Sequence, residues 1–194
     1  MKKIQIIIIM LFLGVQNIVA QKVKQVSVMA TTEAIGLPFT NYAPIHPGIE
    51  ASITFARNEQ DKSVQLFNAK AGSFYHRKLQ IAVYLGGEYQ YSRKLFKQKI
   101  SLDFPIGLGY FHTFYPGEIY EQNGNGDFER VNQFGRPHLY INLGIGLTYI
   151  GRGNIQPFIR QEALIQTPFA NGIPVIPHSL IKIGVNIKFG EDEN

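Results

Sequence analysis

The chain has five histidines and no cysteine among 194 residues. Metal or nucleophile chemistry must therefore come from imidazole, carboxylate, hydroxyl and phenol groups, with no thiolate and no disulfide. His46, His76, His112, His138 and His178 all fall at or beside the ends of alternating apolar segments that meet the longer connections, and none falls near the turns NEQDK, SRKLFK or GRGN at the opposite ends. Side-chain parity along a strand sends His46, His76, His138 and His178 to the polar face and His112 to the apolar face or to an irregularity. Four neutral imidazoles gathered at one end of a fold could bind Zn²⁺, Cu²⁺ or Ni²⁺, or could ligate haem iron together with Tyr75 or Tyr115. None of the local spacings is a metal motif, and histidine also suits a polar, aromatic rim, so convergence depends on the fold.

Parity places eight charged residues on the same polar face: Glu50, Lys70, Glu88, Asp103, Arg160, Glu162, Lys182 and Lys188. Acids and bases balance. Charges enclosed in a narrow interior need partners to offset the loss of water, so the pattern predicts an ion-paired plug, with a proton or ion path as the sharper alternative. The segment PGEIYEQNGNGDFERVNQFGRP has Asn-Gly turns and mixed charge and reads as a surface loop. Its acids Glu118, Glu121, Asp127 and Glu129 could draw Ca²⁺, but they lack an EF-hand spacing.

The elements that position these groups are strands. Period-two alternation recurs over residues 23–33, 48–57, 63–76, 79–92, 99–114, 138–150, 155–167 and 179–189, and no stretch after residue 20 has a helical period. In HLYINLGIGLTYI, Leu139, Ile141, Leu143, Ile145, Leu147 and Tyr149 share one face, opposite His138, Tyr140, Asn142, Gly144, Gly146 and Thr148. The connections NEQDK, SRKLFK and GRGN are short, whereas those around 34–47, 115–137 and 168–178 are long, with HRK at 76–78 the exception. Such alternation predicts an up-and-down antiparallel barrel with both termini on the short-turn side.

The apolar face must be covered by core or by lipid. If it were the core, Gly107, Gly109, Gly144, Gly146 and Gly184 would line the solvent face, where they weaken strands and pack nothing. Turned inward they leave room for Tyr84, Tyr140, Arg160 and the lysines in a narrow lumen. Phe55, Tyr89, Tyr91, Tyr149 and Phe189 fall on the apolar face next to short turns, as an interfacial girdle requires. The expected architecture is thus an all-β, roughly eight-stranded transmembrane β-barrel with periplasmic termini. MKKIQIIIIMLFLGVQNIVAQ reads as a signal peptide over 1–20, which leaves 21–194 as one outer-membrane domain. The formal charge of +5 includes Lys2 and Lys3, so about +3 remains after cleavage, and without a basic cluster nucleic acid is excluded as a partner.

The leader, strand count, alternating connections and a last strand ending on Phe189 resemble the small outer-membrane β-barrels of Gram-negative bacteria, of the OmpX and OmpA transmembrane-domain type, with a texture similar to Bacteroidota members. The resemblance covers the whole mature chain and implies a fold rather than an activity. It implies that Ile183, Val185, Ile187 and Phe189 form the signal read by the barrel-assembly machinery, although GEDEN follows the aromatic here. His178 and Ser179 resemble the lipid A 3-O-deacylase pattern, but they are adjacent rather than two apart, so a regular strand points them to opposite faces. The functional expectation is a closed barrel acting in the outer membrane as a structural or accessory component, with membrane lipid and a larger outer-membrane complex as partners. No cofactor is needed for that role. The rivals are metal or haem capture at the histidine mouth and lipid hydrolysis. LPFTNYAPIHPG and TPFANGIPVIPH, Pro-rich and apolar, are expected to pack over the mouth or dock on a partner.

Overall fold

The computed structural model describes residues 23–39, 41–122, 124, 126–131, 134–151, 153–169 and 172–189, so the leader over 1–20 lies outside the described residues. Ten strands form: β1 (Gln25–Ile35), β2 (His46–Glu59), β3 (Ser63–His76), β4 (Gln80–Leu95), β5 (Ile100–Phe114), β6 (Ile119–Gln122), β7 (Phe128–Val131), β8 (Arg136–Tyr149), β9 (Ile155–Thr167) and β10 (Ile176–Lys188). Eight of them close a barrel in the order β1-β10-β9-β8-β5-β4-β3-β2. Every neighbouring pair is antiparallel, and β1 completes the ring by pairing along its whole length with β10, from Gln25 opposite Lys188 to Ile35 opposite His178. Closure leaves the eight barrel strands without an edge, as a bilayer interior requires.

Three features depart from the expected strands. The 115–137 segment is not an irregular loop, because β6 and β7 pair within it as a separate two-stranded hairpin. The strands also begin earlier at the long-loop end, past Pro47, Pro137 and Pro177, residues that break an alternating pattern in a sequence. Here the ladder carries on through them, and the Pro177 carbonyl accepts the Gly36 N–H at 3.0 Å. In β2, Phe55 is the extra residue of a bulge between Thr54 and Ala56. The bulge reverses parity beyond it and brings Arg57 within 3.4 Å of Gln25 Oε1.

Outside, the wall is apolar: Leu108, Leu139 and Ile183 are 69%, 62% and 61% exposed. Inside, the alternate residues are buried, and the largest are Tyr84, Tyr140, Phe74 and Phe111. Glycine makes room for them. A Cβ on Gly72 would lie 2.6 Å from the Tyr84 ring, and one on Gly109 would lie 2.7 Å from Tyr140. The glycines that look idle on a solvent face are therefore what lets bulky rings fill a narrow lumen.

Candidate functional site

The middle of the lumen holds a closed charge network. Glu162 sits at its centre: Oε2 accepts from Lys182 Nζ at 2.8 Å, Lys70 Nζ at 3.4 Å and Asn142 Nδ2 at 3.2 Å, while Oε1 accepts from Arg160 at 3.3 Å. Glu88 takes Lys70 at 2.7 Å and Arg160 at 3.1 Å, and Glu50 takes Lys182 at 2.6 Å and the Tyr84 hydroxyl at 2.6 Å. Arg160 also donates to Gln90 Oε1 at 2.6 Å. Three carboxylates thus face three permanent cations, all buried. This arrangement offsets desolvation because each charge has several partners rather than one.

Two of the eight expected members stand apart. Asp103 makes no ion pair among the described residues; it accepts hydroxyls from Ser101 at 2.9 Å and Thr148 at 2.5 Å, lower on β5 than the network. Lys188, at the end of β10, is half-buried at the short-turn mouth. It lines a cavity of about 80 Å³ there with Arg57, Glu59 and Lys94, instead of joining the network. The bulge that turns Arg57 inward creates a second cluster at that mouth, where Glu59 pairs with Arg57 at 2.5 Å and Lys94 at 2.7 Å.

Toward the long-loop end, a layer of rings closes the bore. Phe74, Tyr84, Phe111 and Tyr140 pack with Ala82, Leu164 and Leu180; Tyr84 and Phe111 are stacked with centroids 6.0 Å apart, and Tyr84 and Tyr140 meet edge-on at 5.7 Å. His178 rests on this layer, 5.5 Å from Phe74 and 6.0 Å from Phe111.

Above the rings lies a histidine layer organised by Glu33. The Glu33 carboxylate is completely buried and accepts from His76 Nδ1 at 2.8 Å and His178 Nδ1 at 2.7 Å, with His46 Nδ1 3.5 Å away. His46 Nδ1 also donates to the Glu33 main-chain oxygen at 3.1 Å, and the His46 and His76 rings lie with centroids 3.7 Å apart, their planes tilted by 35°. His178 Nε2 reaches Gln166 Oε1 at 3.0 Å, which is shared with Gln80 Nε2, also at 3.0 Å. Three of the four rim histidines therefore converge.

His138 does not join them. Phe111 stands between it and His178, and its ring nitrogens are taken by Thr113 Oγ1 at 2.9 Å and the Pro168 carbonyl. The fourfold histidine site expected from parity is thus reduced by an intervening ring to three histidines and a carboxylate. His112 is on the outer wall, bonded to Tyr110 at 2.6 Å and the Phe134 carbonyl at 2.7 Å. Tyr75 turns outward, and Tyr115 lines a cleft beyond the rim, so neither phenol joins the layer.

Glu33 itself escapes a search for histidine spacing. Its signal was parity on the first strand, since Gln25, Ser27, Met29, Thr31 and Glu33 share the buried face, and its pairing opposite His46 is a matter of register.

Ser179 points away from His178, out through the wall, where Tyr42 from the first long connection covers it. Its hydroxyl is bound by Tyr42 at 2.6 Å and Gln161 at 2.7 Å, with no histidine or carboxylate at hand to activate it. The first Pro-rich connection thus sets Tyr42 against the outer wall. The mouth is instead flanked by a cleft of about 990 Å³ between the β6–β7 hairpin and the rim, lined by Lys78, Tyr115, Tyr120, Arg130, Phe134 and Arg136, among others. Glu118 pairs with Arg130 at 2.9 Å and accepts the Tyr120 hydroxyl at 2.6 Å, which holds that phenol above its ordinary range.

No family model matches the chain, and no curated protein matches it. Among solved structures, the chain is similar to Neisserial surface protein A, with 11% identity and a TM-score of 0.56 over 85% of this chain and 96% of that one. It is also similar to the attachment invasion locus protein Ail of Yersinia pestis, with 11% identity and a TM-score of 0.49 over 86% and 97%. The outer membrane enzyme PagL gives 11% identity and a TM-score of 0.49 over 84% and 99%. At such identities the likeness is one of fold. The chain has the fold of the small eight-stranded outer-membrane β-barrels.

Proposed function

We propose that the protein spans the outer membrane as a sealed barrel, its long connections outside and its termini in the periplasm, and acts there as a structural or accessory interaction component. The observation that carries this reading is a lumen shut twice over, by the Glu50–Glu88–Glu162 charge network and by the ring layer above it, inside a wall whose outer face is apolar. A sealed bore leaves the surface as the working part. The outer wall suits lipid, and Ile183 and Phe189, 61% and 48% exposed, with Val185 and Ile187 beside them on that wall, are available to the barrel-assembly machinery. The cleft beside β6–β7 combines aromatic rings with guanidinium groups, the pairing enriched in protein interfaces, and supports contact with a larger outer-membrane complex.

The test has two parts. Folded protein in detergent is expected to run differently before and after heating and to give no steady conductance in a planar bilayer; a stable open channel would overturn the sealed barrel. A photo-crosslinking side chain placed at Tyr115 or Phe134 in cells is expected to give a discrete protein adduct absent when it is placed at Leu143. No adduct at the cleft positions would remove the accessory role.

A further inference from the structure

Glu33 is the buried lumen carboxylate whose basic neighbours, among the described residues, are all histidines. Glu50, Glu88 and Glu162 each touch a lysine or arginine, whereas the groups on Glu33 are imidazoles, which are cationic only when protonated. A carboxylate at zero exposure without a permanent cation is a place where a metal ion would be strongly stabilised.

We propose that Glu33, His46 and His76 form a binding site for a divalent metal ion of the zinc type. A carboxylate oxygen of Glu33 and one ring nitrogen from each histidine all lie within 4.8 Å of one another. Glu33 Oε2 is 2.8 Å from His76 Nδ1 and 3.5 Å from His46 Nδ1. Ligands on a tetrahedral ion with bonds of about 2.0–2.1 Å sit roughly 3.3 Å apart, so small side-chain shifts suffice and no backbone need move. Two imidazoles and one oxygen suit zinc, copper or nickel; calcium and magnesium require more oxygens than this set provides.

The surroundings fit the assignment. The second carboxylate oxygen of Glu33 accepts from His178 at 2.7 Å, and His178 is held in turn by Gln166 at 3.0 Å, so an outer shell orients the ligand from below. His46 and His76 side chains are each 11% exposed at the long-loop mouth, while the ring layer under His178 blocks passage further down. The site is therefore a pocket with one door, suited to capture rather than conduction, and three protein ligands leave a fourth position for solvent or a small anion.

The experiment titrates untagged, detergent-folded protein with Co²⁺, read by its visible d–d bands, followed by Zn²⁺ competition. One ion per chain is expected, with affinity lowered at least about 100-fold in His46→Ala and in His76→Ala and unchanged in His138→Ala. His178→Ala is expected to weaken binding about 10- to 100-fold, the usual effect of losing a residue that orients a ligand. Heat-modifiable mobility reports folding of each variant. If a variant fails to fold, X-ray absorption on the zinc-loaded parent decides, with two imidazole nitrogens and a carboxylate oxygen expected. Absence of stoichiometric binding, retention of binding without both His46 and His76, or an equal loss in His138→Ala would overturn the assignment.

Discussion

The charge network and the histidine layer occupy the same bore and use the same anion, yet they neutralise it in opposite ways. In the network, Glu162 is met by the ammonium groups of Lys182 and Lys70 and the guanidinium of Arg160. In the histidine layer Glu33 is met only by groups whose charge depends on a proton or an ion. One layer is permanently balanced and therefore a fastener. The other is conditionally balanced and therefore able to respond to what enters through the mouth. The ring layer lies between them, with His178 resting on it from above and its Tyr84 hydroxyl bonded to Glu50 below.

Substitutions should divide along this line. The largest effect is expected for Glu162→Gln, which leaves three buried cations facing two carboxylates; breaking such a pairing costs about 3–5 kcal/mol, read as a loss of urea resistance in lipid vesicles. Glu33→Gln should cost less, about 1–3 kcal/mol, because the amide oxygen still accepts from one histidine, an imidazole can offer its bare nitrogen to the new NH2, and no lysine or arginine is stranded. A loss as large as that of Glu162→Gln would erase the distinction between the layers. The smallest effect, within about 1 kcal/mol, is expected for Glu59→Gln at the short-turn mouth, where the carboxylate is 46% exposed and its pairs with Arg57 and Lys94 are screened by solvent. These three carboxylates thus rank by burial and by the kind of cation they meet, not by how many ion pairs can be counted.

Much of this was legible in the chain. Alternation over Leu139–Tyr149 assigns the inner and outer faces of β8 residue by residue, because a strand reverses its side chains at every step and a buried polar face beside an apolar one admits one register. The same parity placed Glu50, Lys70, Glu88, Arg160, Glu162 and Lys182 inside, where they meet. It failed at Phe55, since a bulge leaves no mark on an alternating pattern, and Arg57 changed faces as a result. It also failed on β6 and β7, whose four residues each are too short to show a period.

What the sequence determined by itself is which residues look inward, because that is a local property of each strand. Which of them touch was decided only by closure of the barrel, since shear sets each strand's height against its neighbours and the rings fill the space between. That is why Lys188 and Asp103, correctly turned inward, end below the network, and why Phe111 removes His138 from the histidines. It is also why Glu33, on the strand farthest in sequence from His178, becomes its partner: β1 and β10 are the two ends of the chain, and joining them is what makes the barrel.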